Sequence, residues 1–407
     1  MSYPESFTKP ISLEAAIDIC LKNSKPVNAT ERIPVADAIG RILAEDIIAG
    51  IDVPPFARAA MDGYAVRSAD VRHASGKIPV SLKAKSRIFA GDTPEITITK
   101  GECVAIATGG MLPKGADAIA MLEITQTTSS DRDIVRVLQP VQKGEHVILP
   151  GSDIAKRTKI AHKGEYILPA KIGAISSVGK EMCRVYRRPM VVVMPTGNEV
   201  IRPGKKLKAG QIYDTNTFTL YSAISSFGGD VRIADVVEDD RKSISRAIHA
   251  NSEADIIVMS GGSSVGEKDL LSSVIEEEGR ILFHGVAIKP GKPTLLGKIG
   301  RTLVLGMPGH PTSCLSNAYL FLEPMIRKIG RIPRSSIRML SLKLARDVRL
   351  PRDRKLILPV RVQGNLAIPT FKESSAITSM SEADGYAVIA PTGVVAKKGM
   401  VIMVHTY

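Results

Sequence analysis

The sequence predicts a multidomain protein in which a central doubly wound α/β domain is flanked by β-rich segments. Three observations predict this fold class. The chain of 407 residues exceeds one ordinary hydrophobic core, so two to four domains are expected. Between residues 187 and 330, continuous apolar runs alternate with helical patterns, as in a parallel sheet covered by helices. On either side, short apolar runs are separated by glycine and proline, which favours short strands joined by turns.

The first elements are predicted to be helical. Ser12 can cap a helix whose apolar residues recur at helical spacing, namely Leu13, Ala16, Ile17, Cys20 and Leu21. A second helical stretch is predicted over about 35–45. Residues 62–151 then read as short strands, typical of a small barrel or a sandwich. Residues 152–186 are mixed, with a turn and a helix that begins at a proline.

The segment 187–330 and the segment after residue 331 have different patterns of apolar residues. In the central segment, MVVVMPTG, DVRIADVVEDD and ADIIVMSGG are predicted strands, the first being a buried parallel strand. Helices are predicted near 217–227, in KSISRAIHA and in DLLSSVIEEEG. The runs GVAIKPGKPT and TLVLGMPG follow, and then a helix that begins at PTSC. After residue 331, the runs LSLKLARDV, KLILPVRVQ, LAIPTF, GYAVIAP and MVIMVHTY predict a small all-β domain.

Composition narrows the functional classes. With 44% apolar and 24% charged residues, the chain resembles a globular protein rather than a disordered tail or a membrane channel. The net charge of +14 favours an anionic partner. Residues 331–407 carry 13 Lys and Arg against 5 Asp and Glu, a net +8. Tryptophan is absent and aromatic residues are only 4%, which argues against a platform for single-stranded nucleic acid.

The four cysteines lie far apart without a paired motif, so neither a disulfide scaffold nor a zinc site is expected. They are interpreted as reduced, mostly buried thiols. We find no signal peptide at the N-terminus and no apolar run of membrane-spanning length. The sequence therefore predicts a cytoplasmic protein without a membrane partner.

Small-residue loops follow two of the predicted strands. The first strand ends in PTGNE at 195–199 and the third in SGGSSVGEKD at 260–269. Open α/β sheets bind ligands at the carboxyl ends of their strands, and a loop that opens a helix presents N–H groups to phosphate. The second loop is not a dinucleotide fingerprint, because Ser263 replaces a required glycine. The chain also has no P-loop, because the GK at 291–292 is followed by Pro293.

Further rigid loops carry polar residues. Lys289 and Lys292 lie in KPGKP, where proline restricts φ and glycine permits close backbone approach. Two ammonium groups held this way suit phosphate oxygens, although a solvated basic turn is the alternative. GMPGHPTS at 306–313 is another such loop at a strand end. AMDGYAV at 60–66 and TGGMLPKGADA at 108–118 each read as a turn when taken alone.

Seven strings in order resemble one family, the molybdopterin molybdenumtransferases (MoeA), which includes the E domain of gephyrin. They are AMDGYAV, TGGMLPKGADA, PTGNEV, GQIYDTNT, SGGSSVGEKD, AIKPGKP and GMPGHPTS. The resemblance covers essentially the whole chain. It implies an elongated linking domain over 1–28 and 152–186 and a β-rich domain over 29–151. It further implies an α/β molybdopterin-binding domain over 187–330, similar to the pterin-adenylating enzymes, and a C-terminal β-barrel over 331–407.

The resemblance also implies a reaction. Such proteins insert molybdate into adenylated molybdopterin and release AMP in a magnesium-dependent step. The implied cofactors are Mg²⁺, molybdopterin as the adenylated substrate, and molybdate. Such proteins are usually homodimers whose active site lies between the α/β domain of one subunit and the N-terminal half of the other. Contact with the molybdopterin adenylyltransferase is also implied.

Matching the motifs position by position yields the candidate site. The implied catalytic residues are Asp62, Thr108, Glu199, Asp269, Lys289 and Lys292. The implied substrate-binding residues are Gly261, Gly262, Ser263, Ser264, Pro308, Pro311 and Asp240, the last preferred over Asp239. Mg²⁺ takes one or two carboxylates together with substrate phosphates, so Glu199 and Asp269 are the candidate metal ligands.

The sequence departs from the family pattern at two positions. Asn198 stands where many members have aspartate, and His310 stands where many have asparagine. The first change removes a carboxylate near the candidate metal. The sequence does not separate molybdate from tungstate.

Two other functions remain open on the sequence. A non-catalytic scaffold of the gephyrin type, or a molybdopterin-binding module, would share the fold. A nucleic-acid binder would use the basic tail, but the low aromatic content opposes it, and no nucleic-acid partner is expected. The tail either steers an anionic substrate or keeps the protein soluble, and charge reversal at Arg352 and Arg354 distinguishes these two roles.

Overall fold

The computed structural model describes residues 10–128, 131–197, 199–261, 270–333 and 339–407. The chain divides into two compact units. One unit contains Met1–Glu31, Gly40–Ile42 and Arg184–Tyr407, and the other contains Arg32–Ile39 and Leu43–Cys183. No helix within the described residues is long and apolar enough to cross a membrane.

The first helix follows the predicted pattern. Helix α1 spans Leu13–Asn23, and the Ser12 hydroxyl oxygen accepts a hydrogen bond from the Ala15 amide at 3.2 Å. Leu13, Ala16 and Cys20 are buried on one face. The capping and the apolar spacing are therefore both confirmed.

The second predicted helix, over 35–45, is wrong. Only the short 3₁₀ turn Val35–Asp37 forms, after Pro34. Gly40 has φ +71°, outside the right-handed helical region, which ends any helix there. Val35, Ala38, Ile42 and Leu43 are buried all the same. Their spacing reflects packing of an irregular segment rather than one helical face.

A mixed sheet organises the unit that contains residues 43–183. Its strands are β1 (Gly63–Val66), β2 (Val80–Ile88), β3 (Glu102–Ile106), β4 (Ala118–Met121), β5 (Thr125–Thr128) and β6 (Asp131–Val137). Their order is β4–β1–β3–β2–β6–β5, with β2 and β3 parallel and the other neighbours antiparallel. Apolar clusters cover both faces, because successive residues such as Ala65 and Val66 point to opposite sides. Helix α2 (Pro169–Ser177) begins at a proline, as predicted.

A doubly wound sheet forms the centre of the other unit. Its strands are β7 (Met190–Pro195), β8 (Asp230–Ile233), β9 (Ile256–Ser260), β10 (Arg280–His284), β11 (Leu295–Ile299) and β12 (Thr302–Met307). The order is β8–β7–β9–β12–β11–β10, parallel from β8 to β12 and antiparallel beyond. The helices are α3 (Asn216–Ser226), α4 (Arg241–Ala250), α5 (Leu270–Glu278), α6 (Pro311–Asn317) and α7 (Glu323–Ile329). A π-helical turn, Ala318–Leu322, joins α6 to α7.

Both faces of this sheet are buried under helices. Val191 and Val193 of β7 pack in the cluster that includes residues of α1, α3 and α7. Val192 and Met194 pack in the opposite cluster with α4 and α5. Burial on both sides explains why these strands are continuous apolar runs.

A closed five-stranded barrel ends the described chain. Its strands are β13 (Met339–Leu344), β14 (Lys355–Gln363), β15 (Leu366–Pro369), β16 (Gly385–Ile389) and β17 (Val401–Thr406). The order β14–β15–β13–β17–β16 returns to β14. The short strand Ile288–Lys289 pairs in parallel with Lys355 and Leu356. This pairing joins the predicted lysine loop to the barrel.

Shorter elements complete the described structure. They are the strands Thr30–Pro34, Ile47–Ile48, Arg58–Ala59, Val147–Ile148, Lys159–Ala161, Met182–Tyr186, Val200–Ile201, Ile212–Tyr213, Val348–Arg349 and Val395–Ala396, and the helical turns Ser68–Val71, Leu122–Ile124 and Thr378–Ser381.

Candidate functional site

Three strand ends meet at one edge of the α/β sheet. The Gly261 amide, after β9, donates to the Met307 carbonyl at the end of β12 at 3.3 Å. A side chain at Gly261 would place its Cβ 2.7 Å from the Thr196 hydroxyl, so only glycine fits between these loops. The Cβ of a side chain at Gly309 would lie 3.8 Å from the Gly261 Cα. The carboxyl ends of β7, β9 and β12 therefore form one continuous edge, where open α/β sheets bind ligands.

Asn198 lies outside the described residues, as do four predicted site residues, Gly262, Ser263, Ser264 and Asp269. Glu199 is described, and its exposed carboxylate makes no hydrogen bond or ion pair with another described residue. No described residue therefore competes with a ligand for this carboxylate.

Buried polar contacts hold the KPGKP loop in place. The Thr294 hydroxyl donates to the Gly291 carbonyl at 2.6 Å, and the Asn317 amide donates to Thr294 Oγ1. Thr294 and Asn317 are fully buried. The Val286 amide donates to the Lys292 carbonyl at 2.9 Å, which returns the chain to the sheet. These buried contacts thus fix one side of the loop, while the Lys289 side chain is exposed to solvent.

Gly291 tests how tightly this loop is packed. It has φ +106°, and a Cβ there would lie 2.5 Å from Asn317 Oδ1. We expect Gly291→Ala to lower the free energy of unfolding by about 1–3 kcal/mol, because backbone strain and a clash with a fully buried side chain add. Denaturant unfolding of both proteins measures the difference.

Gly300 provides the matched control. It has φ +56°, but nothing lies within 4 Å of an added Cβ. Gly300→Ala is expected to cost only the backbone term, about 1 kcal/mol. An equal loss of stability in the two variants would show that Asn317 does not confine the loop.

The lysine loop, the GMPGHPTS loop and two barrel loops line one open cavity of about 650 Å³. Its lining includes two proline-framed segments, 289–293 and 308–313, and two barrel segments, 351–354 and 371–374. The described lining includes five cationic side chains and two carboxylates. The cations are Lys289, Lys292, Arg352, Arg354 and Lys372, and the carboxylates are those of Asp353 and Glu373.

The cations of this cavity differ in how far they are neutralised. Arg354 binds Asp353 through two hydrogen bonds of 2.8 and 3.0 Å, which lower the pKa of the Asp353 carboxyl. Lys372 forms an ion pair with Glu382 at 2.9 Å. Lys289 and Arg352 have no such partner in the part of the chain that the structure describes. Their charges remain available to a bound anion.

Two side chains connect the GMPGHPTS loop to its surroundings. The Asn216 amide, at the start of α3, donates to the Gly309 carbonyl at 2.8 Å. On the other side, His310 Nδ1 lies 2.8 Å from Ser374 Oγ on a barrel loop. Pro308 lines the cavity, and Pro311 is the first residue of α6. The loop is therefore held between the α/β sheet and the barrel.

Asp240 has a local structural contact. It caps α4, and its carboxylate accepts a hydrogen bond from the Ser243 amide at 3.0 Å. Hydrogen bonds from Ser243 lower the pKa of the Asp240 carboxyl. Its predicted role in substrate binding remains a prediction.

Asp62 and Thr108 form a hydrogen-bonded pair in the other unit. Asp62 precedes β1 and Thr108 follows β3, and these antiparallel strands place Gly63 opposite Ile106. The Thr108 amide donates to Asp62 Oδ1 at 2.7 Å, and its hydroxyl donates to the same atom at 3.1 Å. These bonds lower the pKa of the Asp62 carboxyl below its ordinary value of 3.8. Asp62 is therefore ionised near neutral pH.

Large apolar side chains lie exposed near this pair. Met61 is 48% exposed and adjoins Asp62, and Leu122, whose amide donates to the Asp62 carbonyl at 3.3 Å, is 53% exposed. Phe89 is 54% exposed, and the preceding residue, Ile88, accepts a hydrogen bond from the Ala107 amide. A fixed carboxylate with an apolar rim suits contact with another molecule.

Comparison with known proteins covers nearly the whole described chain. Residues 11–179 match "MoeA N-terminal region (domain I and II)", and residues 341–407 match "MoeA C-terminal region (domain IV)". Residues 192–328 match "Probable molybdopterin binding domain". The molybdopterin molybdenumtransferase of Haemophilus influenzae is 35% identical over 301 residues, which cover 74% of this chain and 73% of that protein. The chain belongs to the molybdopterin molybdenumtransferase (MoeA) family.

Solved structures of MoeA proteins share the fold. Two molybdopterin biosynthesis MoeA proteins from Pyrococcus horikoshii match 98% of this chain, with TM-scores of 0.83 and 0.79. Their sequence identities are 39% and 27%, and the matches cover 99% and 100% of those chains. The predicted family, fold class and transferase role are confirmed.

A second, larger cavity lies apart from the predicted site residues. It measures about 870 Å³ and lies beside α1, α7 and the barrel. Its lining is mainly apolar and includes Leu13, Ile17, Tyr319 and Tyr386. None of the predicted site residues is part of its described lining.

Sequence reasoning missed several residues that position the MoeA loops. Asn216 could have been identified from the sequence, because it lies in the family string GQIYDTNT. Asn317, Thr294 and Ser374 lie outside the seven strings, and only their tertiary contacts reveal them. Arg352 and Arg354 were recognised as basic residues, but not as part of the cavity.

Proposed function

We propose that this protein completes the molybdenum cofactor by inserting molybdate into adenylated molybdopterin, with magnesium-dependent release of AMP. The observation that carries the proposal is the basic cavity where the lysine loop meets the barrel arginines. Membership of the MoeA family supports the same reaction class.

The cavity suits an oxyanion. Lys289 and Arg352 present charges that no described residue neutralises, and a charged donor forms stronger hydrogen bonds to an anion than a neutral one. Rigid proline–glycine frames hold the loops, so little reorganisation is needed on binding. A tetrahedral dianion such as molybdate or tungstate fits this donor set.

The neighbouring sheet edge suits the adenylated pterin. Gly261 and Gly309 let the loops that follow β9 and β12 pack closely together at this edge. Lysine charges beside the edge would stabilise negative charge that develops at a phosphoanhydride. The residues proposed to bind the adenylated pterin are the substrate-binding residues predicted from the sequence.

The described residues supply only part of the set of ligands that Mg²⁺ needs. No group of three or more His, Cys, Asp or Glu there lies close enough to hold a metal ion. Mg²⁺ needs only one or two carboxylates when substrate phosphates supply further ligands. Glu199, whose carboxylate no other described residue binds, would hold the ion together with Asp269, which lies outside the described residues. Bound there, Mg²⁺ would neutralise phosphate charge.

Asp62 and Thr108 are proposed to position the pterin or the molybdate by hydrogen bonds. Both bonds from Thr108 reach Oδ1 of Asp62, and no described residue donates to Oδ2, which can accept from a bound molecule. The fixed carboxylate supplies orientation rather than nucleophilic attack.

We also propose a cytoplasmic homodimer that contacts the molybdopterin adenylyltransferase. The exposed apolar rim around Asp62, formed by Met61, Phe89 and Leu122, supports contact with a second copy. A second copy would cover this rim and bring Asp62 to the α/β domain of its partner.

The decisive experiment measures AMP release. Purified protein is incubated with adenylated molybdopterin and Mg²⁺, with molybdate and tungstate in parallel reactions. We expect AMP release that depends on both the oxyanion and Mg²⁺. No release with either oxyanion would reject the enzymatic proposal and favour a scaffold that binds molybdopterin without turning it over.

A further inference from the structure

His310 lies in the wall of the basic cavity, in the loop that precedes α6. Its backbone is fixed, because its carbonyl accepts a hydrogen bond from the Cys314 amide at 2.9 Å in the first turn of α6. The adjoining chain is tied to the barrel, since the Thr312 amide donates to the Ser374 carbonyl at 3.1 Å. The imidazole therefore has a defined place beside the cavity.

The two ring nitrogens of His310 have different surroundings. Nδ1 lies 2.8 Å from the Ser374 hydroxyl oxygen. Nε2 has no hydrogen-bond partner within the described part of the chain. When the ring is neutral and Nδ1 accepts from Ser374, Nε2 carries the hydrogen. Protonation turns Nδ1 into a donor to Ser374 Oγ, which frees the hydroxyl hydrogen for another acceptor.

Protonation thus adds one positive charge and one free hydroxyl donor to the cavity. Histidine is the residue type whose ordinary charge change falls between about pH 5 and pH 8. The other charged groups that line the cavity belong to the lysine loop and to the two barrel loops. They are Lys289, Lys292, Arg352, Asp353, Arg354, Lys372 and Glu373.

We propose that His310 makes oxyanion binding in this cavity depend on pH, with the protonated imidazole and the freed Ser374 hydroxyl both favouring the bound dianion. The proposal rests on the proposed function, because it takes the cavity as the oxyanion site. By linkage, binding of the anion must draw a proton onto the ring. Loading with oxyanion is then most efficient on the acid side of neutrality.

The test measures binding of sodium molybdate alone by isothermal titration calorimetry between pH 6.5 and pH 8.5. Affinity of the unmodified protein is expected to rise about tenfold towards the acid end, the size of one charge-assisted hydrogen bond. At pH 7, buffers with different ionisation enthalpies should reveal uptake of a fraction of a proton on binding. His310→Asn is expected to show neither the rise nor the uptake.

Two further variants make the result specific. His249→Asn removes a histidine on α4 that pairs with Glu278 and does not line the cavity, so it should keep the full pH dependence. Ser374→Ala keeps the imidazole, so it should retain proton uptake at lower affinity. Circular dichroism and thermal unfolding verify that each variant is folded.

The possible outcomes distinguish a failure of the role of His310 from a failure of the proposed oxyanion site. Molybdate binding with the same pH dependence in His310→Asn, or with none in the unmodified protein, overturns the role of His310 alone. Absence of molybdate binding at every pH overturns the oxyanion site itself, and this inference falls with it.

Discussion

Replacing Asp62 with alanine is expected to abolish molybdate insertion while leaving the fold intact. The carboxylate is exposed and ionised, and it is held in one orientation by the amide and hydroxyl of Thr108. Removing a fixed positioning group of this kind lowers a reaction rate by about 100-fold or more. Molybdate-dependent AMP release and cofactor assembly measure the loss, and circular dichroism checks the fold.

Asp62→Asn is the matched control. Its amide oxygen can still accept both hydrogen bonds from Thr108, but the charge is gone. Activity that stays low in both variants shows that the negative charge is required. Full cofactor assembly by Asp62→Ala would contradict the assignment.

The same variant tests the homodimer. If a site is shared between two subunits, then mixing Asp62→Ala with Lys289→Ala should restore activity, because one site of each mixed dimer keeps both residues. Mixtures that stay inactive after the subunits have exchanged would show that each chain builds its site alone.

Charge reversal at Arg352 and Arg354 is expected to slow capture of the anionic substrate by about tenfold or more at low ionic strength. Both side chains line the cavity with Lys289, and the double change Arg352→Glu with Arg354→Glu shifts the local charge by four units. Clefts of one sign raise the on-rates of oppositely charged ligands, and salt screens this effect. Stopped-flow association with adenylated molybdopterin at increasing salt measures the change.

The control keeps the overall charge equal. Lys343 and Arg361 are exposed on barrel strands and do not line the cavity, so Lys343→Glu with Arg361→Glu makes the same change in net charge. This variant should bind at nearly the normal rate. Equal slowing in both variants would mean that the basic tail acts through net charge, and an unchanged on-rate in both would leave it only a role in solubility.

Arg352→Glu alone refines the test. Arg354 is bound to Asp353, so reversing it also leaves that carboxylate without its partner. Arg352 has no such partner among the described residues. A single reversal therefore isolates the electrostatic effect from a local change in loop structure.

The secondary structure was predictable where one local pattern had one explanation. The capped helix at Leu13–Asn23 and the buried strand Met190–Pro195 formed as predicted, since helical spacing and continuous burial leave few alternatives. The helix expected over 35–45 did not form, although its apolar residues are buried. Burial there comes from contacts with distant residues, such as the bond from the Leu43 amide to the Glu165 carbonyl.

The candidate site was predictable as a set of motifs but not as an arrangement. The sequence indicated Lys289, Asp62 and Thr108 because ordered strings resemble the MoeA family. It contained no local signal that Thr294 and Asn317 hold the lysine loop from behind. Those contacts join residues of distant segments, and no spacing pattern marks them.

The excess of basic residues shows most clearly which features the sequence determines and which the tertiary structure decides. The sequence by itself determined that residues 331–407 carry a net +8, that they form a small β domain, and that the chain resembles the MoeA family. Only the tertiary structure decided that part of this charge faces the lysine loop. The parallel pairing of Ile288–Lys289 with Lys355 and Leu356 places Arg352 and Arg354 beside Lys289. A pairing across some 67 residues depends on how two domains pack together, and local periodicity carries no information about it.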